Sequence, residues 1–592
     1  MERSSVLNIP NKTDYINPAS VNSLRELFQA RVELSANKIA YEYFSSDEQC
    51  WKKISWRSCE TLIQLWASAL KKEGFNKGDR VAILIKNSLE WVVFEQASFA
   101  CGLTIVPLFT DDRAENIAYI INNANVKCIL ISGDTHWDRL YPLTHKLNSV
   151  KRILSIEEIT DNKHDERLLS VEHWLKDSQP QSISADIKSN DLASIVYTSG
   201  TTGKSKGVML SHDNIMQNAW SGVHSIDVYP YDHFLSFLPM SHMLERTIGY
   251  YLPMLSGAKV SFSRSITELA EDLITQNPTV IISVPRIFER VYLKIEQTLE
   301  KKPSIVKWLF NYAIKTSWEH YKFVQHKRYW KPSFLLLPLF DSVFFKKIRE
   351  KFGKDFRFAI SGGAALEYHV AQLFISIGII IAQGYGLTEY SPVISVNRLD
   401  DNDPKSVGKP LPGVEISIGD ENELLVKGKS TMSGYWNDEE ATKQILDNEG
   451  WLHTGDQVNI IDNKIYITGR LKDILVLSNG EKVPPCEIEQ AILQDPLFEN
   501  VIIIGDARPY LSALVTLNAD VMNGASSQSE DLIEHANNMM SDFPGYAKIH
   551  SIRVCKDSWT IDNGLLTPTM KPRRKFIIAR NQDLINEMYE GH

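Results

Sequence analysis

The sequence predicts an α/β protein: a large N-terminal domain with doubly wound sheets plus a β-rich subdomain, then a smaller C-terminal unit of strands and helices. Three observations carry this. Over residues 20–190, short apolar runs alternate with helical patterns, the signature of strands joined by crossover helices. From about residue 405 the texture changes to short β segments separated by turns. After Gly469-Arg470 a smaller α/β piece follows. A chain of 592 residues is too long for one core. Its 43% apolar and 23% charged content are ordinary for a globular protein.

The elements read in order as follows. Val81–Ile85, Thr104–Leu108 and Cys128–Ser132 are strands, with Leu89–Cys101 and Ala114–Asn123 as the helices between them. Ala193–Tyr197 and Gly207–Leu210 flank a glycine-rich tip and read as a strand pair. The α/β pattern resumes at Val280–Ser283, Phe356–Ser361 and Ile379–Gln383. Val414–Ile418, Glu423–Val426 and Lys464–Ile467 form the β-rich part, and Ile474–Leu477, Ile488–Leu493, Val501–Ile504 and Ser512–Leu517 the last piece.

Charge and cysteine usage narrow the function classes. A net charge of −9 gives no reason to expect nucleic-acid binding. Six scattered cysteines with no CxxC argue against a zinc site or a disulfide framework and fit a reducing cytoplasm. The N-terminus shows no apolar signal region, and no apolar run approaches the ~20 residues of a membrane span. Residues 301–354 stand apart, with 13 Lys/Arg against 3 Asp/Glu, interleaved with aromatics from Trp308 to Phe345. That pattern suits an anionic membrane surface, giving a cytoplasmic protein held peripherally on a membrane's inner face. The alternatives are a solvated helical face with its aromatics in the core and, as a weaker third, a nucleic-acid surface.

The stretch Tyr197–His212, YTSGTTGKSKGVMLSH, carries the clearest chemistry. Its tip holds seven Gly/Ser/Thr residues and two lysines between apolar flanks. Glycines let a backbone curl around an anion, N–H groups and hydroxyls donate to its oxygens, and lysines supply charge. The expected ligand is a polyphosphate. It is not the GxxxxGK[ST] loop, which would need glycine where Thr198 stands. Downstream, Ser361-Gly362-Gly363-Ala364-Ala365-Leu366 follows a strand and permits close approach of a flat ligand. In Gln383-Gly384-Tyr385-Gly386-Leu387-Thr388-Glu389 a ring flanked by glycines can face a base, with a hydroxyl and a carboxylate suited to Mg²⁺ beyond it. Asp456 in WLHTGD could accept from ribose hydroxyls or cap a turn, and Arg470 could be a surface ion pair. The basic run around Lys571 sits on a Pro-marked segment.

YTSGTTGKSKGVMLSH resembles the phosphate-loop signature of the adenylate-forming enzymes, which include acyl-CoA synthetases, adenylation domains and luciferases. LPMSHMLER, SGGAAL, QGYGLTE, WLHTGD, GRLKD and LTPTMK follow in that family's order and approximate spacing. The block Ser283–Ile295, the basic insertion after it and the SGGAAL wording are most similar to the long-chain fatty acid CoA ligases. The resemblance implies a domain of residues 1–470 and a small mobile α+β lid, 471–592, hinged at Lys472.

It also implies two half-reactions: a fatty acid carboxylate attacks ATP to give an acyl-adenylate, and the thiol of coenzyme A then displaces AMP. Thr198, Ser199, Gly200, Thr201, Thr202, Gly203 and Lys204 would hold the β- and γ-phosphates. Glu389, with Thr198, would bind Mg²⁺, and Thr388 would touch the α-phosphate. Gly362, Gly363 and Ala364 would flank adenine, with Tyr385, between Gly384 and Gly386, stacked on it. Asp456 and Arg470 would hold the ribose, and Lys571 would bridge the carboxylate and α-phosphate. His242 would stand near the mouth for acyl chain and thiol, or be a packed core histidine. The turn around Gly480 would line the thiol tunnel after rotation.

Two departures exist. Arginines follow Lys571-Pro572 where many relatives have two apolar residues, which keeps Lys575 as an alternative, and Glu421-Asn422-Glu423 lacks a glycine often seen there. Three other readings compete: an acyl-adenylate ligase serving a carrier-protein thiol, a luciferase-like oxidase, and a non-catalytic nucleotide-binding or membrane scaffold. The 21 residues after Lys571 leave no room for a fused carrier, so a carrier would be a separate protein.

Overall fold

The computed structural model describes residues 14–160, 165–198, 205–471, 475–478, 481–483, 485–495, 497–518, 529–540, 543, 547–567 and 570–590. Two large sheets dominate. One runs Gly434–Tyr435, Lys206–Ser211, Leu192–Thr198, Thr104–Pro107, Arg80–Leu84, Val126–Ile131, Arg152–Ser155, Leu168–Ser170. From Leu192–Thr198 onward its neighbours are parallel, while Lys206–Ser211 pairs antiparallel on both sides. The other has nine strands, and its centre (Ile380–Gly386, Phe358–Ser361, Val280–Ser283, His233–Ser236, Lys259–Phe262) is parallel throughout. Parallel strands covered on both faces read as unbroken apolar runs, which is why these were legible.

One apolar cluster joins the two sheets through the helices between them. The helix Leu89–Ala100 is buried at every position but Glu90, as expected for a helix held between two sheets. It carries a charge into the core. Glu95 pairs with Arg246 at 2.5 Å, both side chains fully buried, and Arg246 Nη1 also donates to Ser194 Oγ (2.9 Å) on the strand that leads to the glycine-rich tip. Removing one partner of such a pair strands the other charge in the core. Glu95→Ala is therefore expected to cost about 3–5 kcal/mol of stability in urea denaturation. The double replacement Glu95→Leu with Arg246→Met should cost less than the single one.

Four imidazoles are held neutral. Burial pushes His212 and His233 down to about 3, and His136 and His242 down to about 4. His212 Nδ1 accepts from the Leu24 N–H at 3.2 Å, and His233 Nε2 lies 2.6 Å from Ser261 Oγ. Below the ordinary value of about 6.5 the unfolded chain binds more protons than the folded one, so stability falls as pH falls toward 4. Glu245 and Glu367, raised by burial to about 8 and about 7, oppose this above pH ~4.5, as do Asp112, Glu289, Glu296 and Glu487 with smaller upward shifts, but the four imidazoles shift furthest together. The unfolding free energy from urea melts should therefore decline between pH 7 and pH 4.

A four-stranded antiparallel sheet follows: Glu415–Ile418, Glu423–Lys427, Leu452–Ile461, Lys464–Arg470. LHTGD of the WLHTGD motif opens a ten-residue strand, Leu452–Ile461, rather than forming a turn. Beyond it the chain builds separate cores, whose buried members all lie at Leu475 or later. The three-stranded sheet there pairs Phe498–Ile504 with Leu511–Leu517 antiparallel, and Leu511–Leu517 with Ile549–Val554 parallel.

Residues 301–354 form the helix Ser304–Val324 and a run of short helical turns from Pro332 to Phe352. Phe310, Trp318, Phe334, Phe340 and Phe345 are buried there, whereas Trp308, Tyr312, Tyr329 and Trp330 are exposed. The aromatics of the segment are thus divided between core and surface. No described helix is long and apolar enough to cross a membrane.

Candidate active site

The glycine-rich tip springs from the hairpin Leu192–Thr198 and Lys206–Ser211, whose last pair is Thr198 opposite Lys206. Ser199, Gly200, Thr201, Thr202, Gly203 and Lys204 lie outside the described residues. Gly207 must be glycine, because a Cβ there would sit 2.7 Å from Ile195 Cγ2 and 2.9 Å from the Tyr197 ring. Its carbonyl accepts from the Trp436 N–H at 2.7 Å, which seats the two-residue strand Gly434–Tyr435 against the hairpin.

That short strand reaches Glu389. Thr388 and Glu389 form a single helical turn with Tyr390, just past the strand Ile380–Gly386. The Tyr435 hydroxyl donates to Glu389 Oε1 at 2.8 Å, and the Glu389 carbonyl accepts from the Met432 N–H at 2.9 Å. Lys206 Nζ lies 5.0 Å from the Tyr435 ring centroid, within cation–π range. Tyr435 is thus a site residue that sequence reasoning missed. Its only signal was a Gly-aromatic pair, which the antiparallel pairing makes meaningful.

Beside this turn, Tyr385, Asp456 and Arg470 form a chain. Tyr385 donates to Asp456 Oδ2 at 2.6 Å and Arg470 Nε to Oδ1 at 2.7 Å, Asp456 and Arg470 being cross-strand partners. Each carboxylate oxygen has a second lone pair, so Asp456 can still accept from hydroxyls. Glu423 holds the strand in place: its Oε1 accepts from the Gly455 N–H at 2.8 Å and its Oε2 lies 2.8 Å from His453 Nδ1. Register shifts between Glu423 and Leu425 and between Gln457 and Val458 mark local bulges, which re-aim side chains. Glu423 therefore positions Asp456 from the segment where the expected glycine was lacking.

Gly362 and Gly363 leave the strand Phe358–Ser361 with Gly362 buried and Gly363 and Ala364 exposed. A Cβ on Gly362 would lie 3.0 Å from Leu244 and 3.6 Å from the Gly384 carbonyl, so the two glycine motifs adjoin. Gly386 has a structural reason of its own: a Cβ there would stand 1.9 Å from the Pro392 carbonyl oxygen. Leu244 also connects to His242, whose Nδ1 accepts from the Leu244 N–H at 3.2 Å. With Nδ1 accepting and the imidazole neutral, the proton sits on Nε2.

Lys571 completes the arrangement from the far end of the chain. Thr567 and Lys571 exchange bonds, Thr567 N–H to the Lys571 carbonyl at 2.9 Å and Lys571 N–H to Thr567 Oγ1 at 3.0 Å. Leu566 bridges Pro572, so the lysine stands on the return arm of a tight hairpin. Burial lowers its pKa, Arg470 adds to that, and Asp456 opposes it; its charge in turn lowers His242. The residue is nonetheless exposed to solvent. Next to this hairpin, a Cβ on Gly564 would lie 3.0 Å from Arg113 Nη1, placing the C-terminal segment against the N-terminal one. Lys575, exposed like Lys571, lies on the helix Arg574–Arg580. Lys472 and Gly480 lie outside the described residues.

The structure thus gathers Thr198, Gly362, Gly384, Tyr385, Glu389, Asp456 and Arg470 at the carboxyl ends of parallel strands or on the adjoining β-sheet, where open α/β sheets bind ligands. Among the described residues there is no group of three or more His, Cys, Asp or Glu side chains suited to a metal. Glu389 is a lone carboxylate, and that fits Mg²⁺ of the kind held by one or two carboxylates plus substrate phosphates.

The AMP-binding enzyme family model matches residues 28–436, and the model of the AMP-binding enzyme C-terminal domain matches residues 472–592. A long-chain-fatty-acid–CoA ligase of Mycobacterium tuberculosis is 29% identical over 91% of this chain and 92% of its own. A chloroplastic long-chain-fatty-acid–[acyl-carrier-protein] ligase of Arabidopsis thaliana is 28% identical over 91% of this chain and 83% of its own. Among solved structures, the A domain of a carboxylic acid reductase from Segniliparus rugosus superimposes with a TM-score of 0.76 at 19% identity, covering 99% of this chain and 97% of that one. ATP-bound MatB from Rhodopseudomonas palustris gives 0.71 at 22% identity, covering 95% and 100%.

Proposed function

Because the chain belongs to the AMP-binding enzyme family, we propose that it activates a long-chain fatty acid with ATP and transfers the acyl group to coenzyme A, releasing AMP and pyrophosphate. The observation that supports this reading is the hydrogen-bonded chain of Tyr385, Asp456 and Arg470 beside the adjoining glycine motifs, with the charge of Lys571 acting on His242. The long-chain acid as substrate rests on the relatives' activity and on SVPRIFERVYLKI.

In the first half-reaction a carboxylate oxygen bonds to the α-phosphorus as the bond to pyrophosphate breaks. Two anions must meet, so the protein's task is positioning and charge neutralisation. Lys571 holds the carboxylate and α-phosphate together, while Thr198, Lys204 and the tip between them hold the β- and γ-phosphates. Asp456, kept in place by Tyr385 and Arg470, accepts from the ribose, and Thr388 reaches the α-phosphate. Glu389 would hold Mg²⁺, which would offset the phosphate charge. In the second half-reaction a thiol sulfur bonds to the acyl carbon and AMP leaves. Residues 471–592 turn about Lys472 to present the segment around Gly480, and neutral His242 lies by the acyl and thiol mouth. The reading places the enzyme in a reducing compartment such as the cytoplasm, in keeping with its six free cysteines.

A separate carrier-protein thiol is the second reading, favoured by the likeness to the acyl-carrier-protein ligase. Thioester formation from supplied acyl-adenylate, with coenzyme A or with a loaded carrier protein, separates the two. Tyr435→Phe tests the geometry around Glu389. Losing a hydrogen bond to a carboxylate removes about 1.5–3 kcal/mol, so ATP–pyrophosphate exchange is expected to fall roughly 10–100-fold. Unchanged exchange would remove Tyr435 from the site.

A further inference from the structure

Ten of the twenty-three large apolar side chains exposed among the described residues lie between Ile305 and Val343, in a segment that carries a net ten positive charges over residues 301–354. They are ordered rather than scattered. Ile305 (61% exposed), Trp308 (60%) and Tyr312 (37%) recur at helical spacing along one face of Ser304–Val324, and Trp308 stacks on Tyr312 at 5.7 Å and 5°. Tyr312 meets Phe340 edge-on at 5.9 Å, which brings the turns around Phe340 alongside. Those turns expose Leu336, Leu339 and Val343, again at helical spacing. The two apolar strips are therefore adjacent. Lys301 and Lys302 precede the first strip, Lys315 continues its face, and Lys346 and Lys347 follow the second, all exposed. Tyr329 and Trp330, 92% and 54% exposed, stand in the connecting loop between Arg328 and Lys331.

We propose that this face docks the protein on the surface of an anionic lipid bilayer, with the two apolar strips in the headgroup boundary and the lysines on lipid phosphates. An apolar strip with a basic rim and aromatics at its edge is the composition of an interfacial helix pair. The sign of the charge selects the partner: the rest of the chain is acidic enough to leave the whole at −9, so the basic face alone is drawn to an anionic surface. A nucleic acid would match the charge but leaves the aliphatic Leu336, Leu339 and Val343 without a role. The face is independent of the nucleotide cleft, so this proposal stands apart from the catalytic one.

The test is co-sedimentation of the full chain with vesicles of phosphatidylcholine alone or mixed with phosphatidylglycerol, at low and high salt. Binding is expected only to the anionic vesicles and should weaken at least tenfold at high salt. Trp308→Ser with Leu339→Ser, and separately Lys315→Glu with Lys347→Glu, should each lower it by about tenfold or more, with pyrophosphate release from a dispersed fatty acid unchanged. Equal binding to neutral vesicles, no binding to anionic ones, or indifference to both variant pairs would overturn the proposal. So would a dimer in sedimentation velocity that Trp308→Ser dissolves, or RNA binding that competes off the vesicles. Vesicle binding by a protein without ligase activity would leave the docking face standing and remove only the catalytic reading.

Discussion

Lys571→Ala is expected to abolish acyl-adenylate formation while leaving thioester formation from supplied acyl-adenylate largely intact. The two halves differ in what they ask of a cation. Joining a carboxylate to a triphosphate brings like charges together at the α-phosphorus, and a positioned ammonium offsets both. Removing one such electrostatic contact typically costs 10²–10³ in rate, about 2.7–4 kcal/mol. Thiol attack on an acyl-adenylate meets no second carboxylate, so it has no matching need. The structure gives the lysine a defined perch, a hairpin closed by Thr567 and bridged by Leu566 and Pro572, with its charge felt at His242. Single-turnover assays of each half would check this. Equal loss in both halves would mean that Lys571 holds the fold or the domain contact rather than the reacting groups, and an unaffected Lys571→Ala with an inactive Lys575→Ala would move the role to Lys575.

Lys472→Pro should do the reverse, sparing adenylate formation and slowing thioester formation by at least about a hundredfold. The charge of Lys571 acts on His242 in this arrangement, which under the proposed function suits the first half-reaction, so the second would require the C-terminal residues to move. They are built for it: their buried apolar clusters begin at Leu475 and share no member with the clusters that join the large sheets. The chain passes from one to the other just after Arg470. Proline fixes φ near −65° and removes an N–H, so a residue that must change φ to swing a domain cannot do so. An unchanged second half-reaction would remove Lys472 as the hinge.

How much of this was legible in the sequence differs by element. The parallel strands were, because burial on both faces leaves an apolar run such as Val81–Leu84, wholly buried in the structure. The strand Leu452–Ile461 was not: it alternates buried and partly exposed positions, carries polar residues and bends at a bulge. Tyr385 and Asp456 are legible from their chemistry and Arg470 only from the family resemblance, and the structure brings the three into one hydrogen-bonded chain. Contacts made by supporting groups stayed hidden. Tyr435 lies 46 residues from Glu389 and meets it only through a two-residue strand, and Glu423 meets Gly455 across a sheet. In residues 301–354, composition could not tell buried from exposed aromatics, since helical spacing serves both until a neighbour covers one side.

The central claim is tested most directly by pyrophosphate release from ATP and Mg²⁺ over a series of acids from acetate to oleate, with and without coenzyme A. The account predicts a single burst with long-chain acids alone and steady turnover once coenzyme A is added. No release with any acid, or release confined to the shortest ones, would contradict it.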